Sequence, residues 1–174
     1  MGPAVVVCIH VSYVDPIILA GSVRRPMRFV MWYKIFQMPF LNFIFRTMKA
    51  IPIAGAREDK NIIDDAFEKV DEDLAAGNIE CIFPEGAITR DGEIARFRPG
   101  IEKIVARRSV PVIPASLGRL WGGWLSRRPD GSMRLIPKRL FARVTVRFGP
   151  PVPATEVTAA KLELLVRTLR SDER

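Results

Sequence analysis

Histidine is almost missing from this chain: His10 is the single one in 174 residues. Any imidazole chemistry near neutral pH falls to it, because no other side chain has an unperturbed pKa between 5 and 8. Cysteine is nearly as scarce, and Cys8 and Cys81 both lie inside apolar runs. That placement suits buried, reduced thiols and argues against a disulfide framework or a zinc site. With one histidine and scattered carboxylates, no metal-ligand cluster is legible and no metal is expected. No run reaches the roughly 18 uninterrupted apolar residues of a membrane-spanning helix, and no secretory leader pattern is present. A protein of the cytoplasmic side, neither integral nor secreted, is the expectation. Low-complexity segments and internal repeats are absent too. A chain that is 48% hydrophobic and 26% charged has the balance of one globular domain, 1–174, with a substantial core.

The formal charge of +8 is unevenly spread. Residues 1–100 carry 12 Lys and Arg against 13 Asp and Glu, and residues 101–174 carry 15 against 6, giving −1 and +9. The basic second part suits an anionic partner: nucleic acid, an acidic carrier protein, coenzyme phosphates or anionic lipid headgroups. A merely solvated basic face remains the plainer alternative.

Along the chain, residues 4–9 read as a fully buried strand that begins almost at the terminus, as in a domain excised from, or N-terminally shortened relative to, a longer protein. Asp15-Pro16 reads as a helix start, cap then first-turn proline, running to Gly21. Residues 27–53 concentrate Met and aromatic side chains around Lys34, Arg46 and Lys49, either as core or as an interfacial, lipid-facing element. Residues 51–53 read as a strand. Asn61 reads as the cap of a helix whose apolar face is Ile62, Ile63, Ala66, Phe67, Val70 and Leu74, ended by Gly77-Asn78. A strand at 79–83, a loop at 84–98, a helix opened by Pro99-Gly100 and a buried strand at 110–117 follow. After a Trp-Gly-Gly-Trp loop and the turn Pro129-Asp130-Gly131, strands are expected at 133–136 and 142–148 and a closing helix at 157–169. This alternation predicts an α/β fold with a mixed, largely parallel sheet flanked by helices.

His10 stands five residues before Asp15, so the two form a candidate catalytic dyad in which the carboxylate fixes the imidazole tautomer and stabilises its protonated form. Phe83-Pro84-Glu85-Gly86, with Thr89 and Arg90 shortly after, sits at another strand end. Ligands of open α/β sheets bind beyond strand ends, so the two motifs point to one cleft. Plainer readings stand beside these: Asp15 as a helix cap only, Glu85 and Arg90 as a loop-closing ion pair. Cys8, two residues before His10, also allows a Cys–His hydrolase.

H-x-x-x-x-D followed some 70 residues later by F-P-E-G resembles the PlsC-type glycerolipid (lysophospholipid or 1-acylglycerol-3-phosphate) acyltransferases. Four blocks occur in family order: His10 to Asp15; Ile51-Pro52-Ile53-Ala54-Gly55-Ala56-Arg57; Phe83 to Gly86 with Thr89 and Arg90; and Val110-Pro111-Val112-Ile113-Pro114. Two departures are visible. Ile9 stands where the family usually has Asn, and Ala87-Ile88 separate Gly86 from Thr89-Arg90. The form Phe-Pro-Glu-Gly-Ala-Ile-Thr-Arg resembles the bacterial branch that reacylates lysophosphatidylethanolamine.

The resemblance implies a glycerolipid acyltransferase-like fold and acyl transfer from acyl-CoA or acyl carrier protein, as co-substrate, to a lysophospholipid hydroxyl. It needs no cofactor. It implies His10 as general base with Asp15 as its partner. Arg57 and Arg90 would hold the acceptor phosphate, Glu85 would bind the glycerol or order Arg90, Gly86 would admit close backbone approach, and Thr89 would complete the acceptor site. Partners would be the lysophospholipid, the thioester donor and a membrane surface, with no nucleic acid and a location peripheral to the membrane or fused to a membrane protein. The rival from another class is a non-catalytic or degenerate module that binds membrane lipid through its basic second part.

Overall fold

The run Ala-Val-Val-Val-Cys at the start of the chain is β-branched and apolar on both faces, so it can only be satisfied as an interior strand. In the computed structural model, which describes residues 2–37, 39–55, 58–119 and 144–171, it forms β1 (Ala4–Cys8), buried throughout. The order that follows is α1 (Asp15–Ser22), β2 (Met27–Trp32), a 3-10 segment (Tyr33–Gln37), α2 (Pro39–Thr47), β3 (Ile51–Ile53), α3 (Lys60–Ala75) and β4 (Ile79–Ile82). Then come α4 (Gly100–Arg107), β5 (Val112–Gly118), β6 (Thr145–Phe148), a 3-10 turn (Ala154–Glu156) and α5 (Ala159–Ser171).

The six strands make one sheet in the order β3-β2-β4-β1-β5-β6. Neighbours from β3 to β5 run parallel, and β6 is antiparallel to β5. The mixed, largely parallel sheet expected from the alternation is present. Its central strand is β1, whose Val6 is in register with Cys81 of β4 on one side and Ile113 of β5 on the other. Helix α3 packs on β3 and β4, and α5 on β5.

Several local expectations shift. Asp15 is the first residue of α1 rather than its cap: Val14 holds the cap position without a side-chain bond, and the helix passes Gly21 to end at Ser22. Asp15 is turned inward instead, for reasons given below. The cap of α3 is Asp59, which accepts from the Asn61 backbone N–H at 2.9 Å; two capping side chains lie two residues apart, and the one upstream wins. The Met and aromatic stretch splits. Met27, Phe29 and Met31 alternate inward on β2, and Phe45 of α2 is buried, so these belong to the core. Trp32 and Phe43 remain on the surface, Phe43 at 75% exposure. The closing helix starts at Ala159, two residues later than expected, after the 3-10 turn. The expected strand at 133–136 and the Trp-Gly-Gly-Trp loop lie outside the described residues, as do Arg127, Arg128, Arg134, Lys138, Arg139 and Arg143 of the basic second part.

One ionisable group is placed in the sheet itself. Glu80 of β4 is fully buried, opposite Arg28 of β2 and near Asp73 of α3. Burial, then the neighbouring Asp73 charge, pushes its pKa up to about 8, against the opposing pull of Arg28. Arg28 is itself ion-paired with Asp73.

Candidate active site

Strands β1 and β4 are sheet neighbours and run the same way, so the segments after them emerge side by side. His10 follows β1 and Glu85 follows β4. The sheet thereby joins two motifs 75 residues apart: the His10 backbone N–H donates to Glu85 Oε1 at 2.8 Å, and the His10 carbonyl accepts from the Thr89 N–H at 2.9 Å. Both polar groups of the His10 backbone are held by the second motif.

The imidazole is set by two contacts. Its Nδ1 lies 2.8 Å from Asp15 Oδ2, and its ring stacks on Phe83 with centroids 4.2 Å apart and planes at 19°. Phe83 lies in turn over Phe29 of β2 at 6.4 Å, so the ring rests on the core. Asp15 Oδ2 also accepts the Val11 N–H at 2.7 Å and the Ser12 N–H at 3.0 Å. A carboxylate can only accept, so Nδ1 carries the proton of the neutral ring and Nε2 carries the lone pair. Nε2 has no protein partner among the described residues. The arrangement can serve as a base, with its lone pair directed away from its anchor, on a side chain that keeps 14% exposure to solvent.

Glu85 is buried, and its second oxygen accepts the Ala95 N–H at 2.8 Å. Burial raises its pKa, opposed by the His10 and Ala95 amides. Both oxygens are engaged with main chain and neither with Arg90. Of the two roles expected, binding the glycerol or ordering Arg90, no contact with Arg90 is seen among the described residues, and Glu85 holds the backbone of His10. Gly86 has φ +73°, a region only glycine enters freely, and a Cβ there would sit 2.8 Å from the Arg98 guanidinium. Its freedom serves this turn and the overlying arginine. Thr89 is buried, donates its hydroxyl to Asp91 Oδ1 at 2.8 Å and accepts from the Gly92 N–H at 3.0 Å, which fixes the bend that carries Arg90. Arg90 is exposed at the rim of a hollow of about 290 Å³ lined also by Glu85, Thr89, Ile94 and Ala95. A larger hollow, about 490 Å³, lies on the acidic side of α3 by Asp64, Glu68 and Arg107 and touches none of these residues. Arg57 lies outside the described residues.

Next to it in sequence, Glu58 makes a cluster that sequence reasoning missed. Its Oε2 accepts the Trp32 indole N–H at 2.9 Å and the Gly55 N–H at 2.8 Å, and its Oε1 lies 3.1 Å from Lys34 Nζ. The indole donor first, then the Gly55 amide and Lys34, lower its pKa to about 2. Cys8 is fully buried in β1 and burial pushes its thiol pKa up, which speaks against the Cys–His hydrolase. Ile9 is buried in the core, which fixes the strand end before His10 by packing. Among the described residues no group of three or more metal-ligating side chains occurs, and no helix is long and apolar enough to cross a membrane.

Comparison with known proteins places this geometry in context. A family model described as "Acyltransferase" matches residues 1–118. The chloroplastic 1-acyl-sn-glycerol-3-phosphate acyltransferase of Arabidopsis thaliana is 30% identical over 115 residues, 66% of this chain and 32% of that protein. A probable 1-acyl-sn-glycerol-3-phosphate acyltransferase of Mycoplasma genitalium is 29% identical over 184 residues, 98% of this chain and 65% of the relative. The chain thus spans about a third of the first relative's length and just under two thirds of the second's. Among solved structures, the 1-acyl-sn-glycerophosphate acyltransferase PlsC of Thermotoga maritima shares the fold with a TM-score of 0.67 at 22% identity, over 98% of this chain and 64% of that one.

Proposed function

The chain belongs to the acyltransferase family, and on that premise we propose that it moves a fatty acyl group from a thioester donor to the free hydroxyl of a 1-acylglycerol 3-phosphate or a related lysophospholipid. The observation that carries the reading is the His10–Asp15 dyad, with Nδ1 committed to the carboxylate and Nε2 free. The acceptor hydroxyl gives its proton to Nε2 as its oxygen attacks the thioester carbonyl, and Asp15 stabilises the imidazolium that forms. When the tetrahedral intermediate collapses, the C–S bond breaks and the imidazolium returns the proton to the departing sulfur. Products are an ester and a free thiol, and no covalent enzyme intermediate or cofactor is required.

The relatives' names favour a 1-acylglycerol 3-phosphate acceptor. Its phosphate suits the exposed guanidinium of Arg90 and, in the matching block, Arg57, because a guanidinium pairs with phosphate through two parallel hydrogen bonds. Gly86 and Thr89 shape the loop that presents Arg90. Either acyl-CoA or acyl carrier protein serves as donor. The work is done at a membrane surface on the cytoplasmic side, a location supported by exposed Trp32 and Phe43 with Arg46 and Lys49 nearby and by the two reduced thiols.

Thioester release tests the reading, with lysophosphatidic acid and lysophosphatidylethanolamine each offered against both donors. The wild-type chain is expected to turn over lysophosphatidic acid, and His10→Ala to lose about 10²- to 10⁴-fold in kcat while still binding vesicles that contain the acceptor. Undiminished transfer by the variant would reject the mechanism, since the chain contains no second imidazole. Vesicle binding without transfer by the wild type would instead favour a lipid-binding module.

A further inference from the structure

Helix α5 lies beyond the region matched by the family model, yet it is connected to the dyad. Glu163, Arg167 and Arg170 are spaced i, i+4 and i+7 and so share one face of the helix. All three act on the main chain of residues 92–97. Glu163 Oε2 accepts the Phe97 N–H at 3.0 Å, Arg167 donates to the Ile94 carbonyl at 2.6 Å, and Arg170 donates to the Gly92 carbonyl. Arg167 and Glu163 are also bonded to each other at 3.0 Å, so donor and acceptor are aimed as a pair. Between the gripped positions stands Ala95, whose N–H holds Glu85 Oε2, and Glu85 Oε1 holds the His10 N–H.

We infer that α5 is a positioning element of the active site, with Glu163 and Arg167 fixing the 92–97 strap and through it Glu85 and the His10 backbone. None of the α5 side chains touches the reacting atoms. Their effect is geometric: displacement of a general base by about 1 Å costs as much as about 10²-fold in rate. The helix does not depend on this grip for its own seat, because Leu162 and Val166 on its inner side are fully buried. Removing the clamp should therefore loosen the strap without detaching α5.

The kinetic arm of the test rests on the acyl-transfer reading; the exchange arm does not. In the full chain, amide hydrogen exchange at His10 and Ala95 is measured beside kcat, KM and the thermal midpoint. The set comprises Arg167→Ala, Glu163→Ala, the conservative Arg167→Lys and Glu163→Gln, and Arg108→Ala, which breaks an ion pair with Asp71 remote from the strap. In the two alanine variants at the clamp, exchange at His10 and Ala95 is expected to rise about 10-fold or more while β5 amides keep their protection, the mark of local opening. Their kcat should fall about 10-fold with both KM values within about two-fold. Arg167→Lys and Glu163→Gln, which keep a donor to Ile94 and an acceptor for Phe97, should recover most of the loss, and Arg108→Ala should change neither readout. Unchanged exchange at His10, unchanged kcat in an active enzyme, or exchange rising equally in β5 would each overturn the inference. A wild-type chain with no transfer activity would remove the functional reading and leave the exchange result to decide this one.

Discussion

Asp15 concentrates three donors on one oxygen, Oδ2, while Oδ1 has no partner among the described residues. This asymmetry makes the residue separable into its two jobs. In Asp15→Asn the amide oxygen can take the place of Oδ2, so the Val11, Ser12 and His10 donors all keep an acceptor and the histidine keeps its tautomer. Only the negative charge is lost. We expect kcat to fall about 10²-fold, because nothing offsets the imidazolium, with a urea unfolding midpoint close to wild type. Asp15→Ala removes the acceptor as well and leaves buried amides unpaired, which costs about 1–3 kcal/mol in the same urea titration on top of the rate loss. Equal stability in the two variants would mean that the carboxylate does not hold the loop.

Among the elements, the described residues that flank positions 56 and 57 after β3 are tied by hydrogen bonds of Glu58. Glu58 bonds Gly55 within the turn and, outside it, the Trp32 indole at the end of β2 and Lys34 in the 3-10 segment that follows. With its pKa near 2 the carboxylate stays ionised throughout any working pH range. Because positions 56 and 57 lie in sequence between Gly55 and Glu58 and Arg57 is proposed to hold the acceptor phosphate, Glu58→Ala should raise the acceptor KM several-fold and leave kcat and the donor KM nearly unchanged in steady-state assays. A fall in kcat with constant KM would place the turn's role elsewhere.

The elements that the sequence displayed were those whose signal is local. Strand β1 is an uninterrupted apolar run, β4 is one broken only by Glu80, and α3 shows a clean helical stripe. Strand β2 also carried its signal, the alternation of Met27, Phe29 and Met31, but the density of Met and aromatic residues suited core and lipid-facing readings alike and hid the period of two. At the site, His10 and Asp15 were readable because both partners are side chains five residues apart. The role of Glu85 was not, because its partners are backbone N–H groups brought in by sheet order, and a peptide amide leaves no mark in a sequence. The same applies to Glu163, Arg167 and Arg170: their spacing on one helix face was visible, but what they grip was not.

For the whole molecule, Glu80 makes stability depend on pH in an unusual direction. A carboxyl buried in the sheet with its pKa raised to about 8 stays protonated in the folded state, whereas the unfolded chain releases that proton above the ordinary glutamate value near 4.3. Between these values the folded state binds more protons, so this group's contribution to stability declines as pH rises from about 5 to 8. Glu80→Gln mimics the protonated form without a proton to lose. Chemical denaturation should therefore find the variant's advantage over wild type growing by about 2–3 kcal/mol between pH 5 and neutral pH. A gap that does not widen with pH would show that Glu80 ionises freely in place.

The six residues from His10 to Asp15 hold both partners of the dyad, yet they are not a portable module. The bonds that give them their setting span 75 residues from His10 to Glu85, 66 from Phe97 to Glu163 and 73 from Ile94 to Arg167. Transplanting the hexapeptide would carry the reagents without the jig. On the role inferred for α5, recombination that is to keep this geometry has to carry the whole span from β1 to α5.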